Sequence, residues 1–193
     1  MSKLFFRYGA MNSGKSTAML QVAHNYEERD QRVVLIKSSV DTKGNDQIIS
    51  RLGVTRTADV LLSPGQDLRA ALRECGTESG RSIACVLVDE AQFLTREQVY
   101  QLGEVTDSLD IPVLTYGLRT DFRGEPFEGS KYLLAWSDNL RELKAICHCG
   151  AKATMVIRLD ESGNPVKEGS QVEIGGNDRY VSLCRRHFKA LLT

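Results

Sequence analysis

Residues 9–17 read GAMNSGKST, set between an apolar stretch, LFFRY (4–8), and a helical-looking one, AMLQVAHNYEE (18–28). Gly9, Gly14, Lys15 and Ser16 fit the spacing G-x-x-x-x-G-K-[ST], in which a loop wraps the phosphates of a nucleoside triphosphate. Backbone N–H groups of Ala10, Met11, Asn12 and Ser13, and of the helix start that follows, would point at the phosphates, and glycine lets the chain come close. Lys15 would hold the outer phosphates, and the Ser16 hydroxyl would ligate Mg²⁺. The motif requires a strand before it and a helix after it, so it constrains the fold as well as the chemistry. It leaves the phosphoryl acceptor open: water would make an ATPase or a switch, and a hydroxyl would make a kinase.

The rest of the chain reads as alternating strands and helices. Strand-like segments fall at 3–8, 32–37, 83–89 and 111–116, and the cores VVLI and CVLV suit strands buried on both faces of a parallel sheet. Helical patterns lie between them. Residues 15–30 carry Met19, Val22, Ala23 and Tyr26 on one stripe, and 67–75 place Leu68 and Leu72 four apart. Thr95 with Gln98 makes a capping box before Val99, Leu102, Val105 and Leu109. This order predicts an α/β fold. Two stretches resist this pattern: 38–55 is polar and flexible-looking, and 117–130 directly follows the fourth strand, where an open α/β sheet puts its ligand loops. After residue 140 the pattern changes to short strand-like pieces, ELKAIC, ATMVIRL and RYVSLC, so the expected division is 1–140 and 141–193.

CVLVDEAQF (85–93) is a hydrophobic strand ending in two acids. Asp89 would join Ser16 in holding Mg²⁺, and Glu90, one residue on, would face the attacking nucleophile. DEAQ also occurs in RNA helicases. Those enzymes need two such domains and a basic track for nucleic acid. This chain has 25 Lys+Arg against 25 Asp+Glu and no Ser-Ala-Thr motif, and it lacks the Asn-Lys-x-Asp of small GTPases. A nucleic-acid-stimulated ATPase is therefore the second reading, with no nucleic-acid partner expected on the first.

No apolar run is long enough to span a bilayer, and MSKLFF lacks a signal peptide's apolar core. A cytoplasmic, reducing location is expected, where five cysteines favour metal ligation over disulfides. Cys75 and Cys85 sit in or beside apolar patterns and read as core. Cys147, Cys149, Cys184 and His187 make a Cys₃His set of the kind that holds structural Zn²⁺. The Cys147-x-Cys149 pair is one residue tighter than usual and leaves His148 as a rival ligand. Reduced, unligated thiols and a zinc ribbon that reads nucleic acid are the alternatives.

Taken in order, GAMNSGKST, VDEAQF, YGLRTDFRGEPF, CHC, IGGNDRY and CRRH resemble the type II thymidine kinases, across essentially the whole chain. The resemblance implies a recombinase-like P-loop domain with a mostly parallel sheet, plus a small zinc-binding, β-rich lid. It implies transfer from ATP, with Mg²⁺, to the 5′-hydroxyl of thymidine, and also a homotetramer with feedback inhibition by dTTP. Carried over by residue, Gly9 through Ser16 bind the triphosphate together with Asp89, Glu90, Ala91 and Gln92. Glu90 is the general base. Phe93 lies near the base pocket, Phe122 belongs to a loop over thymidine, and Tyr180 lies near base and sugar. Val172, Glu173, Ile174 and Gly175 form the backbone segment that reads thymine. Asp41 matches an acid on the loop after the second strand. Lys43 stands where the family commonly has arginine, which leaves Lys43 or Arg51 as the loop cation.

Overall fold

The computed structural model describes residues 1–42, 44–172 and 179–192. Its strands are β1 (Leu4–Gly9), β2 (Arg32–Ser38), β3 (Gln47–Ile49), β4 (Thr55–Thr57), β5 (Val60–Leu62), β6 (Ile83–Asp89), β7 (Val113–Leu118), β8 (Asn139–Leu143), β9 (Ala145–Ile146), β10 (Lys152–Ala153), β11 (Met155–Arg158) and β12 (Tyr180–Leu183). The helices are α1 (Lys15–Glu27), α2 (Leu68–Ser79), α3 (Arg96–Leu109), α4 (Glu128–Trp136) and α5 (Arg185–Leu192).

Six strands form one sheet in the order β5-β2-β6-β7-β1-β8. Every pairing in it is parallel. The double-sided apolar reading of its centre holds residue by residue. Val34 and Ile36 of β2 and Val86 and Val88 of β6 face a cluster that includes Leu68 and Leu72 of α2 and Val99, Leu102 and Val105 of α3. Their neighbours Val33, Leu35, Cys85 and Leu87 face the other way, onto Met19, Leu20 and Ala23 of α1. Strand periodicity of two thus builds two cores from one run of sequence, with helices on both faces.

The three expected helices form with small differences. The α1 stripe ends at Glu27, because Asp30 turns the chain at φ 55°. Asp67 caps α2 by accepting from the N–H groups of Arg69 and Ala70. The Thr95–Gln98 capping box is present, but Leu109 is exposed rather than part of the apolar face.

Other elements depart from the reading. Residues 128–136, the end of the expected loop and beyond, form α4, whose N-cap Phe127 offers no side-chain cap. The start of ELKAIC belongs to the main sheet: β8 pairs in parallel with β1, so the division expected after residue 140 falls inside this strand. Beyond it, β9 and β10 pair antiparallel, as do β11 and β12. With α5, they pack a third cluster of Cys147, Ala153, Ile157, Leu183 and Phe188.

Candidate active site and metal centre

Parallel strands deliver their C-terminal ends to one edge, and ligands bind where crossovers leave in opposite directions. Here β1 ends at Gly9, β6 at Asp89 and β7 at Leu118, with β7 lying between the other two. The loop after β1 needs its glycines. Gly14 has φ 79°, and a Cβ on Gly9 would run into Ser13 and the carbonyl of Leu143. Within this loop the Lys15 amine donates to the Ala10 carbonyl at 2.9 Å, and the Ser13 hydroxyl is buried without a partner. A buried, unsatisfied hydroxyl beside a helix N-terminus suits an anionic ligand.

Ser16 and Asp89 come together as read: the hydroxyl lies 3.5 Å from Asp89 Oδ2. Burial first, and then the neighbouring Glu90 carboxylate, push the Asp89 carboxyl up to about 7. Burial likewise lowers Lys15 from the ordinary lysine value, opposed by Glu90 and Asp89. Two acids and a buried amine within one cleft edge form a charge cluster that a divalent cation and phosphates would complete. A hydroxyl and a carboxylate oxygen are the hard donors that Mg²⁺ takes.

Glu90 adopts a left-handed conformation, φ 49° and ψ 39°, immediately before a 3₁₀ turn over Ala91–Phe93. Such a conformation is uncommon in a non-glycine residue and costs about 1–3 kcal/mol, so it persists where surrounding contacts enforce it. Ala91 and Gln92 are buried in this turn; the Gln92 side chain bonds Glu90 and the Leu118 N–H.

A cleft of about 1000 Å³ opens over these groups. Met11 through Ser16, Glu90 and Gln92 line it, as do Phe93, Phe122, Val172 and Tyr180. Phe93 meets Phe127 edge-on at 5.7 Å between ring centres. Asp41 and Arg51 line the same cleft; Lys43 and the segment Glu173, Ile174 and Gly175 lie outside the described residues.

Several residues around the cleft escaped the sequence reading. Asp121, 3% exposed, accepts from the Arg123 and Glu125 N–H groups, from the Arg123 guanidinium and from Gln171 at 3.1 Å. The Arg158 guanidinium lies 4.0 Å over the Phe122 ring and donates to the Ser170 carbonyl. These contacts hold the loop after β7 against the C-terminal part of the chain. The D-x-x-G turn of Asp121–Gly124 was the signal available for the first. Arg158 gave none, since a charged residue ending an apolar strand usually reads as exposed. Lys37 is also buried, donating to the Asn45 and Gln47 carbonyls and pairing with Asp41 at 3.3 Å.

The metal reading gains its geometry from three elements. Cys147 and Cys149 follow β9, Cys184 follows β12, and His187 stands in the first turn of α5. Their four ligand atoms lie within 4.8 Å of one another. His187 Nδ1 is 3.3 Å from Cys147 Sγ and 3.4 Å from Cys184 Sγ, and the Cys149 and Cys184 sulfurs are 3.9 Å apart. Tetrahedral Zn²⁺ with Zn–S of about 2.3 Å spaces its ligands by roughly 3.5–3.8 Å. The set therefore fits. Burial disfavours a Cys147 thiolate, but hydrogen bonds from the Cys149 and Cys184 backbones and from His187 bring the thiol down to about 5. His148 stacks on His187, ring centres 4.3 Å apart, while the four-atom cluster takes His187.

A family model for thymidine kinase matches residues 2–188. The chain belongs to the thymidine kinase family. Thymidine kinase of Salmonella typhimurium strain LT2 is 57% identical over 194 residues, covering 100% of this chain and 93% of that one. Thymidine kinase of Escherichia coli strain K12 is 56% identical over 193 residues with the same coverage. Among solved structures, a replication initiator DnaA bound to AMPPCP and single-stranded DNA matches with TM-score 0.42 and 15% identity. It covers 74% of this chain and 40% of its own, a likeness too slight to bear on function. No helix among the described residues is long and apolar enough to cross a membrane.

Proposed function

We infer that the chain transfers the γ-phosphate of ATP to the 5′-hydroxyl of thymidine, giving dTMP in nucleotide salvage. The observation that carries this reading is the meeting of the phosphate loop, Asp89 and Glu90 at one edge of the same cleft. Its volume of about 1000 Å³ stands at the top of the usual range for a single ligand, leaving room for donor and acceptor together. Membership of the thymidine kinase family supplies the acceptor.

Each group then has a task. Gly9 through Ser16 seat the triphosphate, and Lys15 neutralises its outer charge. Ser16 and Asp89 would hold Mg²⁺, which when bound offsets charge on the transferring group. Glu90 accepts the 5′-hydroxyl proton. Phe93, Phe122, Val172 and Tyr180 enclose thymidine, with Glu173, Ile174 and Gly175 assigned to the thymine edge on the family resemblance alone. The aromatic walls exclude water, the competing acceptor. Feedback by dTTP, a homotetramer and a cytoplasmic location rest on that resemblance too.

Zn²⁺, held by Cys147, Cys149, Cys184 and His187, would act as a structural crosslink. The local core is small, with five buried side chains among the described residues, and a crosslink there would add order that so small a core supplies sparingly. Metal analysis of fresh protein is expected to find one zinc per chain. Cys184→Ser should lower the melting temperature and weaken thymidine binding more than ATP binding, because Tyr180 and Val172 lie on the segment the ligands pin. Zinc-free protein with unchanged thymidine affinity would overturn this.

A panel of nucleosides incubated with ATP and Mg²⁺ tests the reaction itself. Thymidine should be phosphorylated well above purine nucleosides, and single-stranded DNA should leave ATP turnover unchanged. Turnover that depends on nucleic acid and ignores nucleosides would reject the kinase.

A further inference from the structure

We propose that Gln92 is a positioning residue whose side-chain amide holds the Glu90 carboxylate in its working orientation and ties it to the end of β7. The proposal rests on Glu90 being the general base, and goes beyond it by naming what aims that base. Gln92 is 2% exposed, so both ends of its amide need hydrogen-bond partners, and the structure supplies one at each end. The Leu118 N–H lies 3.0 Å from one end. That group can only donate, so the atom facing it must be the carbonyl Oε1. The amide –NH₂ is thereby forced toward the Glu90 side chain, where it donates to Oε2. One carboxylate oxygen is held, and the other is left for a substrate hydroxyl.

The backbone around the pair is built for close approach. A Cβ on Gly117 of β7 would sit 2.8 Å from Gln92 Oε1 and 2.9 Å from its backbone nitrogen. A Cβ on Gly129 of α4 would meet the carbonyls of Ala91, Gln92 and Leu94. Two elements thus press bare backbone against the turn that follows the left-handed Glu90. Gly117 and Gly129 are not among the residues lining the cleft, and both contacts fix the turn. Gln92 adds the one side-chain bond that reaches from this turn to the base itself. It also joins Glu90 to Leu118, from which the loop carrying Phe122 departs.

The experiment is a double-substitution cycle at 90 and 92, read as kcat and KM for thymidine and ATP. Gln92→Met keeps the volume and removes both bonds; kcat should fall by about 10²-fold, the usual result of mis-aiming a reacting group. KM for thymidine should stay within about threefold; a loss confined to a raised KM for ATP would mark the triphosphate contact that the family resemblance gives Gln92 and would overturn the positioning role. Gln92→Glu keeps an acceptor for Leu118 but sets a second carboxylate against Glu90, and should lose at least as much kcat. If Gln92→Met does not fold, Gln92→Asn, too short to reach both partners, should give the same loss.

In a Glu90→Gln background, Gln92→Met should cost at most about threefold, because the group it positions is already gone. Equal losses in both backgrounds, or raised KM with intact kcat, would overturn the positioning role and leave Glu90 as base. Full activity in Glu90→Gln would overturn the base reading and the proposal with it.

Discussion

Replacing Lys15 by alanine is expected to lower kcat by about 10³-fold, the upper end for removing one preorganised donor from a charged transition state. The reason is in the charge balance of the cleft. Lys15 is 8% exposed, and its amine lies within the field of Asp89 and Glu90. Phosphoryl transfer spreads negative charge over oxygens that approach those same acids, and Lys15 is the amine of the phosphate loop placed to offset it. The fold should survive the change. Burial already disfavours the charged amine, so removing it lifts an electrostatic penalty from the unliganded protein. Circular dichroism and a melting curve close to the parent would show this, and kcat measured at saturating ATP gives the effect. Near-normal turnover would mean the loop at 9–16 is not the one that holds the reacting phosphates.

The parts of this molecule legible in sequence are those where local chemistry leaves few choices. The phosphate loop needs glycine at 14 because φ there is positive, and the buried strands need apolar residues on both faces. The Thr95–Gln98 box announces α3 because capping is a local exchange of hydrogen bonds. What stays hidden is what depends on distant partners. β8 is polar and largely exposed, and only its place beside β1 makes it a strand. The helix α4 opens without a capping side chain, so its start reads as loop. Asp121 and Gln171 are 50 positions apart, yet share the hydrogen bond that holds the Phe122 loop to the C-terminal segment. The Cys₃His set is legible as types and spacing, whereas spacing alone cannot bring His187, 40 positions from Cys147, to within 3.3 Å of its sulfur.

The C-terminal part reaches the reacting end of the cleft as well as the base end. Ser182 of β12 donates to the Met11 carbonyl in the phosphate loop at 2.7 Å, and Arg119 after β7 donates to the Thr154 carbonyl at 3.3 Å. Order imposed by a bound metal on β11, β12 and α5 would therefore bear on both ligands. The larger share would fall on thymidine, since Tyr180 and Val172 line the cleft directly.

Glu90→Gln is the exchange that decides the acceptor chemistry. A sugar hydroxyl is a poor nucleophile at neutral pH, and its proton must leave as the phosphoryl group arrives. The amide introduced at this position would keep the side-chain length and a hydrogen-bonding oxygen but could not take the proton. Loss of a general base typically costs about 10²–10⁴-fold. A loose transition state, in which bond formation to the nucleophile lags, places the expectation near 10². KM for thymidine should change little, since the amide can still meet the 5′-hydroxyl. Asp89→Asn should behave differently. Its carboxylate lies 3.5 Å from the Ser16 hydroxyl, so losing its charge should weaken the apparent Mg²⁺ affinity as well as turnover. The measurement is kcat and KM for thymidine in both variants across a Mg²⁺ titration. A Glu90→Gln variant rescued by more Mg²⁺ would make Glu90 a metal ligand. One with parental kcat at every Mg²⁺ concentration would assign the proton to another group.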